Sequence, residues 1–205
     1  MTEEKAKEIL KEASEYVLAE GIETERVLLR PFCEEDKADF FELVSSREVQ
    51  RLTGMSFKSK ADMSEAFLKC LPKSDVPTRH FAIVYKKDRR VVGEISIAIY
   101  PFIKSEGMFD DKRGVSLSFE LNENYQKKGI MTEVLNAVID FLLVSHDFDF
   151  VNAGYFEFNE GSKRLQEKCG MKHWMDHIFP FEGKNIMTKE MIVWKEERRN
   201  ARTGN

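Results

Sequence analysis

The chain has 205 residues, of which 42% are hydrophobic and 33% charged, and its formal net charge is -4 at pH 7. This length fits one domain with a real core, the charge excludes the basic footprint of nucleic-acid or anionic-membrane binding, and no apolar run approaches the length of a membrane span. The polar N-terminus and three scattered cysteines (Cys33, Cys70 and Cys169), which lack metal-ligand spacing, favour a reducing, cytoplasmic location.

The first predicted element is an amphipathic helix over residues 3–19, which Gly21 is expected to end. Its apolar face consists of Ile9, Leu10, Ala13, Tyr16 and Val17. We interpret residues 1–21 as a helical extension, either packed on the main domain or used as a contact in a homodimer. The chain is therefore expected to be a monomer or a homodimer.

Periodicity then predicts a mixture of strands and helices up to residue 194, followed by a polar tail at 195–205 that is expected to fray. In chain order the elements are a strand at 24–32, helices at 34–46 and 60–71, strands at 79–86 and 90–100, a hairpin loop at Pro101–Gly114, a strand at 115–121, a helix through Leu143, a strand at 148–157, a helix at 159–170, and strands at 172–180 and 186–194. Strands mixed with helices on both sides of one sheet predict an α/β or α+β sandwich.

The junction between the 115–121 strand and the next helix is the most informative local pattern. A short loop with two lysines and Gly129 separates the two elements. The first turn of a helix offers unbonded N–H groups at the positive end of the helix dipole, and these suit phosphate oxygens. The loop lacks both G-x-x-x-x-G-K-[ST] and G-x-G-x-x-G, which excludes a P-loop and a dinucleotide fingerprint. The local pattern therefore leaves open a phosphate-bearing ligand held by amides, or no ligand.

Several segments, in the correct order, resemble the GNAT family, the GCN5-related N-acetyltransferases. Gln126–Met131 resembles the family's Q/R-x-x-G-x-G/A pyrophosphate loop, and Asn159–Met171 resembles its N-x-x-S/A-x-x-L-…-K-x-G-F segment. Ile22–Pro31 resembles the T-E-R-L-x-L-R-P opening of the ribosomal-protein N-terminal acetyltransferase subgroup. Phe81–Val84 and Val91–Ile95 match that subgroup's second and third strands.

The resemblance covers residues 22–194 and implies one acetyltransferase domain there. Its fold would be a GNAT-like mixed, mostly antiparallel central sheet flanked by helices on both faces, here with an extra N-terminal helix. The implied reaction is direct attack of a primary amine on the thioester of acetyl-CoA within a ternary complex, without a metal. Acceptors implied by the subgroup and its relatives are the N-terminal α-amine of a protein and small molecules. The alternative is a catalytically degenerate domain that acts as an acyl-CoA sensor or an interaction scaffold.

The resemblance also implies which residues contact acetyl-CoA. A bulge at Phe119, Glu120 and Leu121, beside splayed strands, would leave backbone N–H groups of the first and last of these free for the cofactor. Asn159 and Ser162 would contact the pantetheine and thiol end. The loop residues that would bind the pyrophosphate are Gln126, Lys127, Lys128, Gly129, Ile130, Met131 and Thr132. Of these, Met131 replaces a small residue, and its side chain would block the pyrophosphate if it faced the ligand.

Two residues are candidates for proton transfer. Glu120 lies beside the expected bulge and points opposite to its strand neighbours, which makes it the candidate general base. Ser162 is the candidate to hydrogen-bond the leaving sulfur, because this chain has Gln166 where many family members place a tyrosine acid. Lesser candidates for the base are Glu94, His80 and Glu157, whereas His173 and His177 have no partner with metal-ligand spacing.

Two segments are expected to select the acceptor. They are Leu52–Lys60, between the first helices, and Phe179–Lys184, in the last hairpin. Phe179, Pro180 and Phe181 form either an apolar wall of the acceptor site or ordinary edge packing.

Overall fold

The computed structural model describes residues 3–72, 78–98 and 111–203. The strands within these ranges are β1 Ile22–Glu23, β2 Val27–Pro31, β3 Thr78–Tyr85, β4 Arg90–Ala98, β5 Gly114–Leu121, β6 Phe150–Phe156, β7 Lys172–Phe181 and β8 Lys184–Trp194. These eight described strands form one sheet in the order β1-β2-β3-β4-β5-β6-β8-β7. Neighbours are antiparallel except β5 and β6, which are parallel, so the predicted mixed, mostly antiparallel sheet is confirmed.

The described helices are α1 Glu3–Glu20, α2 Lys37–Ser45, α3 Arg47–Thr53, α4 Lys60–Cys70, α5 Ile130–Asp140, α6 Glu160–Lys168 and α7 Lys195–Thr203. The predicted helices occur in the predicted order, and two further helices, α3 and α7, were not predicted. A 3-10 turn, Glu34–Asp36, precedes α2, and a π-helical turn, Phe141–Ser145, continues α5. None of the described helices is long and apolar enough to cross a membrane.

Strand alternation gives the sheet two different faces. On the apolar face, Val115 and Leu117 of β5 pack in the main core with residues of α1 and α5. The opposite, polar face carries Ser116, Ser118 and Glu120 of the same strand, because successive side chains point to opposite sides. Helices α2, α3 and α4 cover part of this second face through a smaller core of their own. Helices therefore flank both faces, as predicted.

Helix α1 belongs to the main core. Ile9, Leu10, Ala13 and Val17 of its predicted apolar face are all buried there, while the side chain of Tyr16 lies outside the described part of the chain. This face packs on the domain itself, which is the first of the two roles that the sequence left open.

Two parts of the chain differ from the predictions by more than the exact bounds of an element. The helix expected at 34–46 ends as predicted near Ser46, but helix α3 was not predicted; it starts where the Ser46 side chain accepts a hydrogen bond from the backbone N–H of Val49. The tail expected to fray is helical as far as Thr203. Arg198 Nε donates to Asp140 Oδ1 at 2.7 Å, and this anchor to the end of α5 explains the order of the segment. Most of the predicted hairpin loop at Pro101–Gly114 lies outside the described residues.

Candidate functional site

The central feature of the site is an opening between β5 and β6. These parallel strands pair only from Gly114–Leu117 with Phe150–Ala153. Beyond that point β5 stays paired with β4 up to Leu121, and β6 stays paired with β8 up to Phe156. The two strands therefore diverge within an otherwise continuous sheet, and their last residues face each other across a gap.

Backbone groups of β5 line this gap. The N–H of Asn122 donates to Val92 O at 2.8 Å. Because every second residue of an antiparallel strand bonds to its partner strand, the backbone groups of Glu120 and Ser118 also bond to β4. Phe119 and Leu121 consequently direct their N–H and C=O groups to the opposite side, into the gap. The bulge expected at Phe119–Leu121 is wrong, because the described β4–β5 register advances one residue for one along its whole length. Divergence of β6, rather than a bulge, leaves these N–H groups without a strand partner.

A cleft of about 680 Å³ passes through the gap. Its walls come from α3, the strands β3 to β8, the loop before α5, the start of α5 and α6. Of the residues predicted from the sequence to contact a cofactor, the cleft is lined by Phe119, Leu121, Gln126, Lys127, Gly129, Ile130, Met131, Thr132, Asn159 and Ser162. Lys128 is outside this set, and its Nζ lies 5.3 Å from the centre of the Tyr125 ring.

The loop before α5 forms the basic end of the cleft. Lys127 and Gly129 both have a left-handed backbone, with φ of 59° and 75°. The N–H of Glu133 makes the first bond of the helix, to Gly129 O at 3.1 Å, so the N–H groups of the three preceding residues have no bond within the helix. Together with the helix dipole, these donors provide a site for an anion.

Cationic side chains add to this end. Lys127, Arg164 and Lys168 line the cleft from the loop and from α6. The side chain of Gln126 is engaged with the strand, since its Nε2 donates to Leu121 O at 2.9 Å. Met131 is only 8% exposed and packs in the main core, so it leaves the approach to the loop amides open.

The segment near the N-terminal end of β2 holds the loop in place. Glu133, in the first turn of α5, accepts hydrogen bonds from Thr24 Oγ1 at 2.5 Å and from Arg26 Nε at 2.6 Å. Arg26 also donates through Nη1 to the carbonyl oxygen of Lys128 at 2.8 Å. Thr24 and Arg26 belong to the T-E-R opening noted in the sequence, and their role in supporting the loop could not be read from spacing alone.

Helix α6 supplies the polar groups of the opposite wall. Asn159 caps the helix, because its Oδ1 accepts from the N–H of Ser162 at 3.1 Å. Gln166 is fully buried, and its Nε2 donates to Ser162 Oγ at 3.0 Å. Since Gln166 is the donor in this contact, the hydroxyl hydrogen of Ser162 is available for another acceptor in the cleft.

The other end of the cleft is acidic and lies on the polar face. Glu94 and Glu120 are directly paired across β4 and β5, and the Glu94 carboxylate is hydrogen-bonded to His80 Nδ1. Burial and the neighbouring Glu94 raise the pKa of Glu120 well above its usual range. The structure thus brings together three of the four base candidates. Glu157 is not among the described residues that line the cleft, and its carboxylate lies 4.0 Å from Lys189 Nζ.

The Cys70 thiol adjoins this acidic end. One donor atom each from Cys70, His80 and Glu94 lies within 4.8 Å of the others, a set that could hold a metal ion. However, His80 and Glu94 are already hydrogen-bonded to each other, and burial and the Glu94 charge raise the pKa of the thiol, which keeps it neutral. We therefore interpret the cluster as a hydrogen-bonded acid–base group, and the absence of a metal stays a prediction.

A third carboxylate, Glu190, is buried beneath the cleft floor. Its Oε2 accepts from Asn152 Nδ2 at 3.0 Å, and its Oε1 lies 3.5 Å from His177 Nδ1. Only glycine fits above it, because a Cβ on Gly154 would lie 2.5 Å from Glu190 Oε1. Burial raises the pKa of Glu190 to about 7.

This buried carboxylate predicts a specific dependence of stability on pH. The pKa of Glu190 rises from 4.5 to about 7 on folding, so its stabilising contribution is complete below pH 4.5 and is lost as the pH rises through 7. Glu190→Gln cannot ionise and should avoid that loss. Between pH 5 and pH 8, we expect the free energy of unfolding of the variant to gain up to ~3 kcal/mol relative to the original chain, measured by urea denaturation.

The exposed Glu157→Gln variant is the matched control and should follow the original chain at every pH. If the free energy of unfolding of Glu190→Gln differed from that of the original chain by the same amount at pH 5 and at pH 8, this would contradict the raised pKa.

The two segments that were expected to select the acceptor both reach the cleft. Leu52, Thr53 and Met55 line it from the first segment, and Phe179 lines it from the second. Gly154 and Phe156 of β6 also line the cleft, and the sequence did not single them out. Period-two alternation identified their strand, but only the pairing of β6 with β8 and its divergence from β5 places them at the gap.

Comparison with known proteins gives a consistent match. A family model described as an acetyltransferase (GNAT) domain matches residues 26–172. The fold is similar to an acetyltransferase of the GNAT family from Bacillus anthracis, with a TM-score of 0.72 and 19% identity over 86% of this chain and 99% of that chain.

Two further solved structures have more specific descriptions. A spermidine N-acetyltransferase from Vibrio cholerae, in complex with CoA and spermine, has a TM-score of 0.67 and 16% identity, over 86% of this chain and all (100%) of that chain. A ribosomal-protein-S5-alanine acetyltransferase from Vibrio fischeri has a TM-score of 0.66 and 18% identity, over 86% of this chain and 97% of that chain. At these identities the likeness concerns the fold.

Proposed function

The chain belongs to the GNAT family of acetyltransferases, and on this premise we propose that it transfers an acetyl group from acetyl-CoA to a primary amine by direct attack in a ternary complex. The observation that carries the proposal is the divergence of β5 and β6. It creates one cleft with a basic, amide-rich end on one side of the sheet and an acidic end on the other.

The residues present fit acetyl-CoA as the co-substrate. The unbonded N–H groups at the start of α5, with Lys127, suit the pyrophosphate. The gap between the strands suits the extended pantetheine arm, with Asn159 and Ser162 beside it on α6. Acetyl-CoA supplies an activated thioester, and the chain would fix its carbonyl against the amine.

Backbone N–H groups would stabilise the oxyanion. Phe119 and Leu121 direct theirs into the gap, where no strand partner competes for them. Donors that are fixed before the reaction stabilise developing negative charge without reorganisation, and this effect is commonly the largest in acyl transfer.

Glu120 would act as the general base. An amine arrives as an ammonium ion and must lose a proton before its nitrogen can form the new bond to the acetyl carbon. The raised pKa of Glu120 makes its ionised form a better proton acceptor than an ordinary carboxylate. The hydrogen bond from His80 to Glu94 fixes the neighbouring carboxylate.

Ser162 would assist the other half of the reaction, in which the bond from carbon to sulfur breaks and the thiolate departs. Its hydroxyl hydrogen is available because Gln166 donates to its oxygen. In this proposal, Gln166 is a positioning residue that orients the hydroxyl toward the sulfur, and Ser162 or water hydrogen-bonds the thiolate.

The finer proposal concerns the acceptor. The T-E-R opening of the sequence and the fold shared with a ribosomal-protein-S5-alanine acetyltransferase support an N-terminal α-amine of a protein. The fold shared with a spermidine N-acetyltransferase supports small amines as the second group to test.

Binding and turnover together test the proposal. We expect acetyl-CoA and CoA, but not NADPH, to raise the Tm by several degrees at saturation, because a ligand that binds only the folded state stabilises it. Release of the CoA thiol should then depend on added amine. A Tm shift with no turnover for any amine would favour the sensor or scaffold alternative, to which Gln166 in place of a tyrosine acid gives some support. No shift with any ligand would contradict the assignment of the cleft.

A further inference from the structure

We propose that the acceptor carries one ammonium group and, close to it, a bulky apolar group that packs on an aromatic wall of the cleft. This inference rests on the proposed function and concerns the substrate class. The chemistry is shared by a peptide that begins with a large apolar residue and by a free arylalkylamine.

The aromatic wall consists of Phe156, Phe158, Phe179 and Phe181. Phe156 lies on the polar face of the sheet, because it alternates in step with Asn152, which pairs with Ser116. The ring of Phe156 lies 5.5 Å from that of Phe158, 5.6 Å from that of Phe179 and 6.4 Å from that of Phe181. Phe156 and Phe179 line the cleft itself. Phe179 remains 37% exposed and Phe158 44% exposed, so part of the wall is open to a ligand.

The end of α3 holds the wall in position. Gly54 has a φ of +74°, and a Cβ there would lie 2.8 Å from Phe156 Cζ and 3.3 Å from Phe179 Cε1. The two rings therefore pack directly against the backbone at this glycine. Leu52 and Met55, on either side of it, line the cleft and extend the apolar surface.

The charges of the cleft favour one ammonium group rather than several. Its acidic lining residues are Glu94 and Glu120, which are adjacent in the sheet and form a single negative site. Glu190 has no exposed surface, so a ligand in the cleft cannot reach it. At the wall, the Arg51 guanidinium lies 4.9 Å from the Phe158 ring and is paired with the Glu48 carboxylate at 2.8 Å, so Glu48 is already neutralised and offers no site for a second ammonium group.

Acetyl transfer to two matched series tests this inference. The peptide series differs only in the first residue, Phe, Leu, Ser or Gly, and the free-amine series comprises phenethylamine, ethanolamine and spermidine. In one of the two series, we expect kcat/KM to be at least about tenfold higher for the apolar acceptors than for the other members. This is the selectivity that an apolar pocket commonly achieves. The series that shows this preference tells whether the acceptor is a peptide N-terminus or a free amine. The inference would be overturned if spermidine, ethanolamine or the Gly-first peptide were acetylated with a kcat/KM equal to or higher than that of the apolar acceptors.

Phe179→Ala separates the wall from the rest of the site. It should lower kcat/KM for the apolar acceptor about tenfold, the value of one aromatic contact of about 1.4 kcal/mol. The KM for acetyl-CoA and the use of ethanolamine should not change, and Phe179→Leu should restore part of the loss. The control is Ile178→Ala, the 50% exposed neighbour on the opposite face of β7. An equal loss for all acceptors would overturn the inference.

Calorimetry on the CoA-loaded protein distinguishes this inference from the proposed function. If phenethylamine or the Phe-first peptide binds and Phe179→Ala weakens that binding while no amine is acetylated, the wall is supported and the proposed catalysis fails. If acetyl transfer occurs and neither apolar ligand binds better than glycinamide, the wall is wrong and the catalysis stands.

Discussion

Replacing Glu120 with glutamine is expected to lower kcat by about 10²–10⁴-fold, the range typical of removing a general base. Glutamine has nearly the same shape but cannot accept the ammonium proton. The Glu120 side chain points to the polar face of the sheet and is not among the backbone amides of the loop before α5, so the affinity for acetyl-CoA should not change. Steady-state kinetics with a responsive amine, together with titration of acetyl-CoA, measures both quantities.

The pH profile gives the sharper test of this residue. Burial and Glu94 raise the pKa of Glu120, and only the ionised carboxylate can act as a base. For the original chain, kcat should therefore rise with pH through that raised pKa, and Glu120→Gln should lack this rise. Because the two carboxylates are adjacent, the profile reports the apparent pKa values of the pair. Glu94→Gln removes one negative charge and should move the rise to lower pH.

The control for both measurements is Glu65→Gln, which alters an exposed ion pair with Lys69 on α4. It should leave kcat and the pH profile as they are, since exposed pairs of this kind contribute little. If Glu120→Gln kept full activity and an unchanged pH profile, another group would have to accept the ammonium proton, and water would be the next candidate.

Local periodicity was enough to predict most of the elements of this fold. The alternation in Val115–Leu121 and the helical spacing after Gly129 correspond to β5 and α5 within a few residues. Helix α3, Arg47–Thr53, shows where local pattern was insufficient, because seven residues are too few to show a helical period and the start of the helix depends on Ser46. Its capping bond to Val49 N–H becomes evident only in three dimensions.

The site was less predictable, because it depends on register. Glu94 and Glu120 were both candidates, but their direct pairing follows from the β4–β5 register, which no local pattern encodes. The same applies to Gly154, whose missing Cβ makes room for Glu190 on the neighbouring strand. Register errors of one residue would exchange the two faces of a strand, so sequence pattern alone cannot decide which carboxylates meet.

Replacing Gly129 with glutamate is expected to raise the Kd for acetyl-CoA by at least about a hundredfold, because a carboxylate beside a phosphate site costs several kcal/mol through like-charge repulsion. A steric explanation is weak, since a Cβ at this position would meet only Arg26 NH2, at 3.6 Å. Calorimetric titration with acetyl-CoA and with CoA measures the loss, and both ligands should lose affinity equally because the phosphates are common to them.

The positive φ at Gly129 requires a matched control, because any side chain in the left-handed region destabilises the fold by about 1–2 kcal/mol. Gly21→Glu provides it. Gly21 has a φ of +67°, a Cβ there would meet Leu29 O at 4.0 Å, and it lies after α1, outside the described lining of the cleft. Both variants should lose similar stability in urea, but only Gly129→Glu should lose the cofactor. If the two bound acetyl-CoA equally well, the phosphates would have to lie elsewhere, and Arg164 and Lys168 on α6 would then be the cations to replace next.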